Sequence, residues 1–298
     1  MPEAFAPPLE PGRTRRNDLL KIIALASMLI DHIGAVFFPD QLLWRTVGRL
    51  AFPIFCWQLA EGYVHTSSRT RYGARIFLFG CIAQVPYMYL NPENVMTPLH
   101  INILFQLFTG VLLMGAADRV SRALAGWRQQ PLVSALGTLL WGTAALGLIF
   151  APDLANAWEP GFRFSYGTYG QLMMLMFYAF RGRGLALGIA WAALSVFHAV
   201  QVGILWQTGF LGGAEGLREL LGYWMNGSTL KDTLLWTLNS LPAFSDVYFQ
   251  ARSLAALPLI LLLENHGGRL RLNRWVAYWF YPVHMALLVS LRWLMLRG

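Results

Sequence analysis

Lysine is nearly absent from this 298-residue chain, which holds only Lys21 and Lys231. Neither lies near the middle of an apolar run, so a Schiff-base chromophore buried at such a position is excluded. Cysteine is just as scarce. Cys56 and Cys81 both fall inside apolar stretches, where a thiol behaves as a small hydrophobe. No further ligand stands at metal-type spacing from either, so the pattern supports neither a structural disulfide nor a metal site. There is no G-x-S-x-G elbow, Walker A loop, H-E-x-x-H pair or dinucleotide glycine fingerprint. Charge is sparse too. Only 13% of residues are charged against 56% hydrophobic, and mean hydropathy is +0.46, outside the range of an ordinary soluble domain. The tail 1–17 is polar and Pro-rich, and the apolar run after it is long and lacks a small-residue cleavage site. It reads as a retained first helix rather than a cleaved signal.

Apolar runs are what the chain has in abundance. Nine can be marked, at Leu19–Phe38, Leu43–Val64, Ala74–Leu90, Leu99–Ala117, Leu132–Ala151, Tyr166–Phe180, Leu185–Phe210, Phe244–Leu263 and Trp275–Leu296. Each is roughly 15–25 residues long, enough to cross a ~30 Å hydrocarbon layer. Between the seventh and eighth, Leu217–Trp224 and Leu230–Leu241 are amphipathic and short, as expected of interfacial helices. The sequence therefore predicts an all-α polytopic transmembrane helical bundle of about nine spans. A tail, 1–17, precedes a single membrane domain, 18–298.

With a cytoplasmic N-terminus, alternate loops hold Arg13, Arg15, Arg16 and Lys21, then Arg69, Arg71 and Arg75, then Arg119, Arg122 and Arg128. They continue with Arg181 and Arg183, and end with Arg269, Arg271 and Arg274. The opposite loops hold only Arg45, Arg163, Arg218 and Lys231, about fifteen basic residues against four. This positive-inside asymmetry sets the orientation and accounts for the net charge of +8, leaving no basis for nucleic-acid binding.

Ionisable side chains at membrane depth cost several kcal/mol unless paired or hydrated, so each is a candidate for function. The first run carries Asp31 and His32. Eleven residues from Lys21, His32 lies about 16 Å into the layer at 1.5 Å per residue. Adjacent residues project ~100° apart on a helix, so Asp31 is poorly placed to hold the His32 ring and is expected to pair with Arg49 of the second run. Arg45, one turn from Arg49, is expected to reach the outer interface. Pro53 interrupts the helix ladder nearby. Glu61, at the other end of that run, is expected to pair with Arg69 or Arg71. Gln84 and Pro86, Asn102 and Gln106, His198 and Gln201, and His284 after Tyr281-Pro282 complete the polar positions. A His general base with an Arg or Asn for developing negative charge suits direct acyl transfer to an amine or hydroxyl. The same groups suit a proton relay, so residue types leave both open.

Particular strings go further. LKIIALASMLIDHIGAVFFP and RTVGRLAFPIFCWQLAEGYVHT, followed by INILFQLFTGVLL, FSYGTYGQLMMLMFYAFR and WVAYWFYPVHMALL, resemble the TraX family of membrane acetylases. The stretch from Leu211 to Asp246 has no counterpart in that resemblance. The likeness implies a multi-pass protein of the bacterial inner membrane that uses cytoplasmic acetyl-CoA to acetylate the N-terminus of pilin, or another amine or hydroxyl such as one on a surface glycan. It implies a catalytic role for His32, with Asp31, Arg49 and Glu61 in support. It adds Asn102, Tyr166, Tyr169 and His284 as cavity residues. Arg69, Arg71, Arg75, Arg119 and Arg122 are then expected to receive the phosphates of CoA, and Arg49 or Asn102 to stabilise the oxyanion. No metal is expected. The rival from another class is a proton-coupled secondary transporter with Asp31, His32 and Arg49 as its relay.

Overall fold

The computed structural model describes residues 18–159, 161–207, 213–239, 246–264 and 270–297. The tail with Arg13, Arg15 and Arg16, the loop residue Arg269, and the outer ends of the runs drawn to Phe210, to Leu241 and from Phe244 lie outside the described residues.

The elements are α1 (Asp18–Phe37), α2 (Leu42–Gly48), α3 (Ala51–His65), α4 (Arg69–Met88), β1 (His100–Ile101), α5 (Ile103–Ala125) and α6 (Pro131–Trp158). They continue with β2 (Arg163–Phe164), α7 (Gly167–Ala179), α8 (Gly184–Gln207), α9 (Gly213–Met225), α10 (Gly227–Asn239), a 3-10 stretch Asp246–Ala255, α11 (Ala256–Leu263) and α12 (Arg274–Arg297). Among the described residues, five helices are long and apolar enough to cross a membrane: α1, α5, α6, the Gly184–Val202 part of α8, and α12. They mark the chain as a membrane protein. α6 shows how: Leu132, Leu136, Leu139 and Leu140 are all more than half exposed, a surface that lipid tails satisfy and water does not.

Of the nine expected crossings, the described residues thus supply five helices of spanning length and apolarity. The expected second span, Leu43–Val64, is two helices. The α-helical ladder of α2 stops at Gly48, Arg49 and Leu50 form a turn, and α3 restarts at Ala51 with Pro53 in its first turn. A proline there loses no helical bond, because the first N–H groups of a helix have no partner anyway. Pro53 thus begins a helix instead of breaking one. The expected sixth span is the 13-residue α7, and the eighth is the 3-10 stretch followed by the eight-residue α11. α4 has the length, but it opens on Arg69, Arg71 and Arg75. The two amphipathic pieces expected after the seventh run are helices α9 and α10.

The core gathers α3, α5, α7, α8 and α11 around Tyr63, Met173, Met174, Phe177 and Trp191. Two small residues let α2 lie hard against α1. A Cβ on Gly34 would collide with Trp44, and one on Gly48 with the Asp31 carboxylate. At the start of α1, the Asp18 carboxylate accepts from the Leu272 backbone N–H at 2.7 Å and from Lys21 Nζ at 3.2 Å. That tie starts α1 and α12 together, running the same way. His32 is 14 residues beyond Asp18 and His284 is 12 beyond Leu272. At 1.5 Å per residue both arrive about 20 Å along, at similar depth.

Candidate active site

His32 and His284 meet there. Nδ1 of His32 lies 2.7 Å from Nε2 of His284, and the two rings are within 9° of coplanar. The tautomers follow from the next contact. Nδ1 of His284 is 2.6 Å from the Phe280 carbonyl oxygen, an atom that can only accept. With both rings neutral, the His284 proton is on Nδ1, its Nε2 carries a lone pair, and His32 donates its own Nδ1–H to it. His32 is left with an unprotonated Nε2, the form a general base requires. Tyr281 and Phe280 pack against these rings and fix their planes.

His32 lines a cavity of about 250 Å³, shared with Asp31, Arg45, Arg49, Tyr87, His100, Ser165, Tyr166 and Tyr281. The Asp31 carboxylate holds two guanidinium groups, Arg49 Nη2 on Oδ1 at 3.1 Å and Arg45 Nη1 on Oδ2 at 2.8 Å. Arg45, expected at the outer interface, is thus also a member of the site. Arg49 is only 6% exposed. Its Nε donates to the Arg45 carbonyl at 3.3 Å, and its guanidinium sits 4.9 Å from the Phe249 ring. Tyr166 stacks on Phe52 and lies 5.7 Å from the same guanidinium. One carboxylate against two guanidiniums leaves the cavity with a net charge of +1. His100 adds none, since burial and then the neighbouring Arg163 lower its pKa.

The helices around this cavity are tied by hydrogen bonds that the sequence hinted at only by residue type. Asn102 caps α5, its Oδ1 accepting from the Leu104 N–H at 3.0 Å. Its Nδ2 donates to Gly80 O at 2.8 Å and to Gln84 Oε1 at 2.7 Å. With all three amide positions engaged, Asn102 is a tie between α4 and α5 and does not line the cavity. Gln106 plays the same part toward α7, accepting from Tyr166 N at 2.9 Å and donating to Gly167 O at 2.7 Å. The short parallel ladder pairs His100 with Arg163 and Ile101 with Phe164. Ser165 thereby comes beside Tyr87, with 3.3 Å between their hydroxyls. Tyr169 is buried outside the cavity, 3.1 Å from Ser253 and against the His198 ring.

The remaining predicted residues cluster about 20 Å away, at the far end of α3, fourteen residues from Arg49 to Tyr63. Glu61 pairs with the buried Arg181 at 2.7 Å, not with Arg69 or Arg71. Arg69 pairs instead with Asp118 at 2.7 Å, and Asp118 also accepts from the hydroxyls of Tyr63 and Tyr178. A cleft of about 530 Å³ opens beside this group, lined by Arg69, Arg119 and Arg122 over Phe77, Phe108 and Leu112. Arg71 and Arg75 lie on α4 but do not line it.

The family model for TraX protein matches residues 16–292. This chain belongs to the TraX family. A probable fimbrial assembly protein of Dichelobacter nodosus is 34% identical over 115 residues, which are 34% of this chain and 47% of that relative. An uncharacterized protein of Rickettsia prowazekii is 33% identical over 99 residues, 33% of this chain and 36% of the relative. The chain thus aligns with less than half the length of each of these curated relatives. No solved structure matches. The TraX match takes in both the His32 cavity and the Asp118 cleft.

Asp118, which joins Arg69, Tyr63 and Tyr178, stands inside an arginine-rich stretch that read only as loop charge. Tyr281 was visible, three residues before His284 and so on the same helix face. Gln250, 3.5 Å from Arg49 Nη1, carried no signal at all.

Proposed function

We propose that this TraX-family chain is an integral inner-membrane acyltransferase. It moves an acetyl group from cytoplasmic acetyl-CoA to an amine or hydroxyl of an extracytoplasmic or membrane-embedded acceptor. The observation that carries this is the His32–His284 pair, which leaves Nε2 of His32 bare in a cavity that also holds two guanidiniums. The relative named for fimbrial assembly supports a pilin-type acceptor with an N-terminal amine, and a surface glycan fits the same chemistry.

In this reading His32 Nε2 takes the proton from the acceptor N–H or O–H as the nucleophile attacks the thioester carbonyl carbon. His284 Nε2 accepts the His32 Nδ1–H throughout, which stabilises the imidazolium that forms, as an orienting partner does in hydrolytic triads. The carbonyl oxygen becomes an oxyanion beside Arg45 and Arg49. The C–S bond then breaks, and His32 returns its proton to the departing thiolate of CoA. Asn102, with its amide fully engaged, leaves the oxyanion role to the arginines. The basic cleft at the Asp118 end receives the CoA phosphates, and the pantetheine arm runs among the helices toward His32.

The test is purified protein in lipid nanodiscs, incubated with acetyl-CoA and candidate acceptors. Acceptor-dependent release of free thiol is the expected result. Solute uptake into vesicles with no thiol release under any acceptor would instead support Asp31, His32 and Arg49 as a transport relay.

A further inference from the structure

The cleft beside Asp118 has a neighbour. A second cavity of about 500 Å³ shares Arg119 and Arg122 with it and is otherwise walled by the α5–α6 turn and the first turns of α6, including Gln129, Gln130, Ser134 and Trp141. The Arg119 guanidinium lies 4.3 Å from the Trp141 ring centre. Among the described residues, Arg119 and Arg122 form no salt bridge; they donate to the Gly115 and Asp118 backbone carbonyls. The two charges therefore sit uncompensated at the junction of two differently lined spaces. On one side the floor is apolar, with Phe77, Phe108 and Leu112. On the other are a flat indole and two side-chain amides.

A ligand that satisfies all three parts has an apolar or amide-bearing arm, a polyanionic centre and a flat ring with hydrogen-bonding edges. We propose that the second cavity, walled by Trp141, Gln129 and Gln130, is the adenine subsite for the nucleotide part of the donor, with the phosphates bridging Arg119 and Arg122. This rests on the acyl-CoA reading above and extends it. Guanidiniums bind phosphate by charge-assisted, often bidentate hydrogen bonds. Glutamine amides match the donor–acceptor edge of adenine. An indole offers a stacking face to any base.

The experiment measures binding of CoA and of adenosine 3′,5′-bisphosphate, by titration calorimetry, to the full chain in nanodiscs of neutral lipid. Trp141→Ala is expected to weaken both ligands by roughly 5- to 100-fold, the worth of one base–aromatic stack, and Trp141→Phe to restore most of it. Turnover with S-acetylpantetheine, which lacks the nucleotide, is expected to be unchanged in Trp141→Ala. Wild-type affinity for CoA in a folded Trp141→Ala protein overturns the subsite while leaving the acyltransferase reading intact. Absence of CoA binding to the wild-type chain overturns both. A third outcome also counts against the subsite. If anionic lipid in the nanodisc displaces the bisphosphate from the wild-type chain but not from Trp141→Ala, the groove holds a lipid headgroup.

Discussion

Replacing His32 with alanine is expected to reduce acetyl transfer by about 10²–10⁴-fold, the usual worth of a positioned general base, while the chain still inserts and folds. The expectation of intact folding comes from the polar contacts of the ring. Among the described residues its one hydrogen bond is to His284, and His284 keeps its own bond to the Phe280 carbonyl, so one acceptor lone pair is left beside a cavity. His284→Ala makes the sharper comparison. It leaves His32 in place but removes the group that holds its proton on Nδ1, so both tautomers become populated and the imidazolium loses its acceptor. Its expected signature is a smaller fall in kcat with an altered pH–rate profile, whereas a merely structural role for His284 leaves the profile unmoved. Single-turnover transfer of labelled acetyl groups across pH separates the two variants. A His32→Ala protein that is folded and as active as wild type rules out the mechanism.

Asp31→Ala is expected to be the most destabilising single change in the site. Asp31 is the shared anion for two guanidiniums, and Arg49 is buried between Tyr166 and Phe249. Removing one partner of a buried ion pair typically costs about 3–5 kcal/mol, because the charge left behind has neither counter-ion nor water. The loss is read as a lowered midpoint in thermal unfolding in detergent. Removing the stranded cation as well, in Asp31→Ala/Arg49→Ala, is expected to recover part of that stability without restoring activity. If the single and double variants are equally unstable, the carboxylate acts through some contact other than Arg49.

These expectations turn on residues whose types were legible long before their partners were. The pairing of Asp31 with Arg49 followed from cost alone, since two opposite charges at membrane depth on neighbouring helices have little choice. Arg45 was expected at the outer interface from its place near the start of the run, and its share in Asp31 is a contact of the folded chain. The loop 38–41 turns the chain back so that α2 runs along α1, and the close contact at Gly48 brings both arginines to one carboxylate. His284 was visible as a polar residue in an apolar run, but its partner stands 252 positions earlier. No periodicity links α1 to α12, and the Asp18–Leu272 tie that sets their common start is a contact of the folded chain. Glu61 and Arg181 are separated in the same way. Asn102 is a different case. It directly precedes a helix and belongs to the residue types that cap one, but it was counted inside an apolar run drawn from Leu99.

The uneven charge of the His32 cavity bears on which acceptors it admits. With two guanidiniums facing a single carboxylate, an amine that arrives as ammonium meets net repulsion in a medium that screens poorly. Only its neutral form is welcome, and the neutral form is also the one that can attack. For an amine acceptor the transfer rate is therefore expected to rise with pH until the free amine is fully deprotonated, whereas a hydroxyl acceptor in the same scaffold shows no such limb. Under the acyltransferase proposal the electrostatics of the pocket are thus expected to act as a proton filter, and the amine limb is expected in kcat/KM but not in kcat at saturating amine, because the ammonium form does not occupy the site.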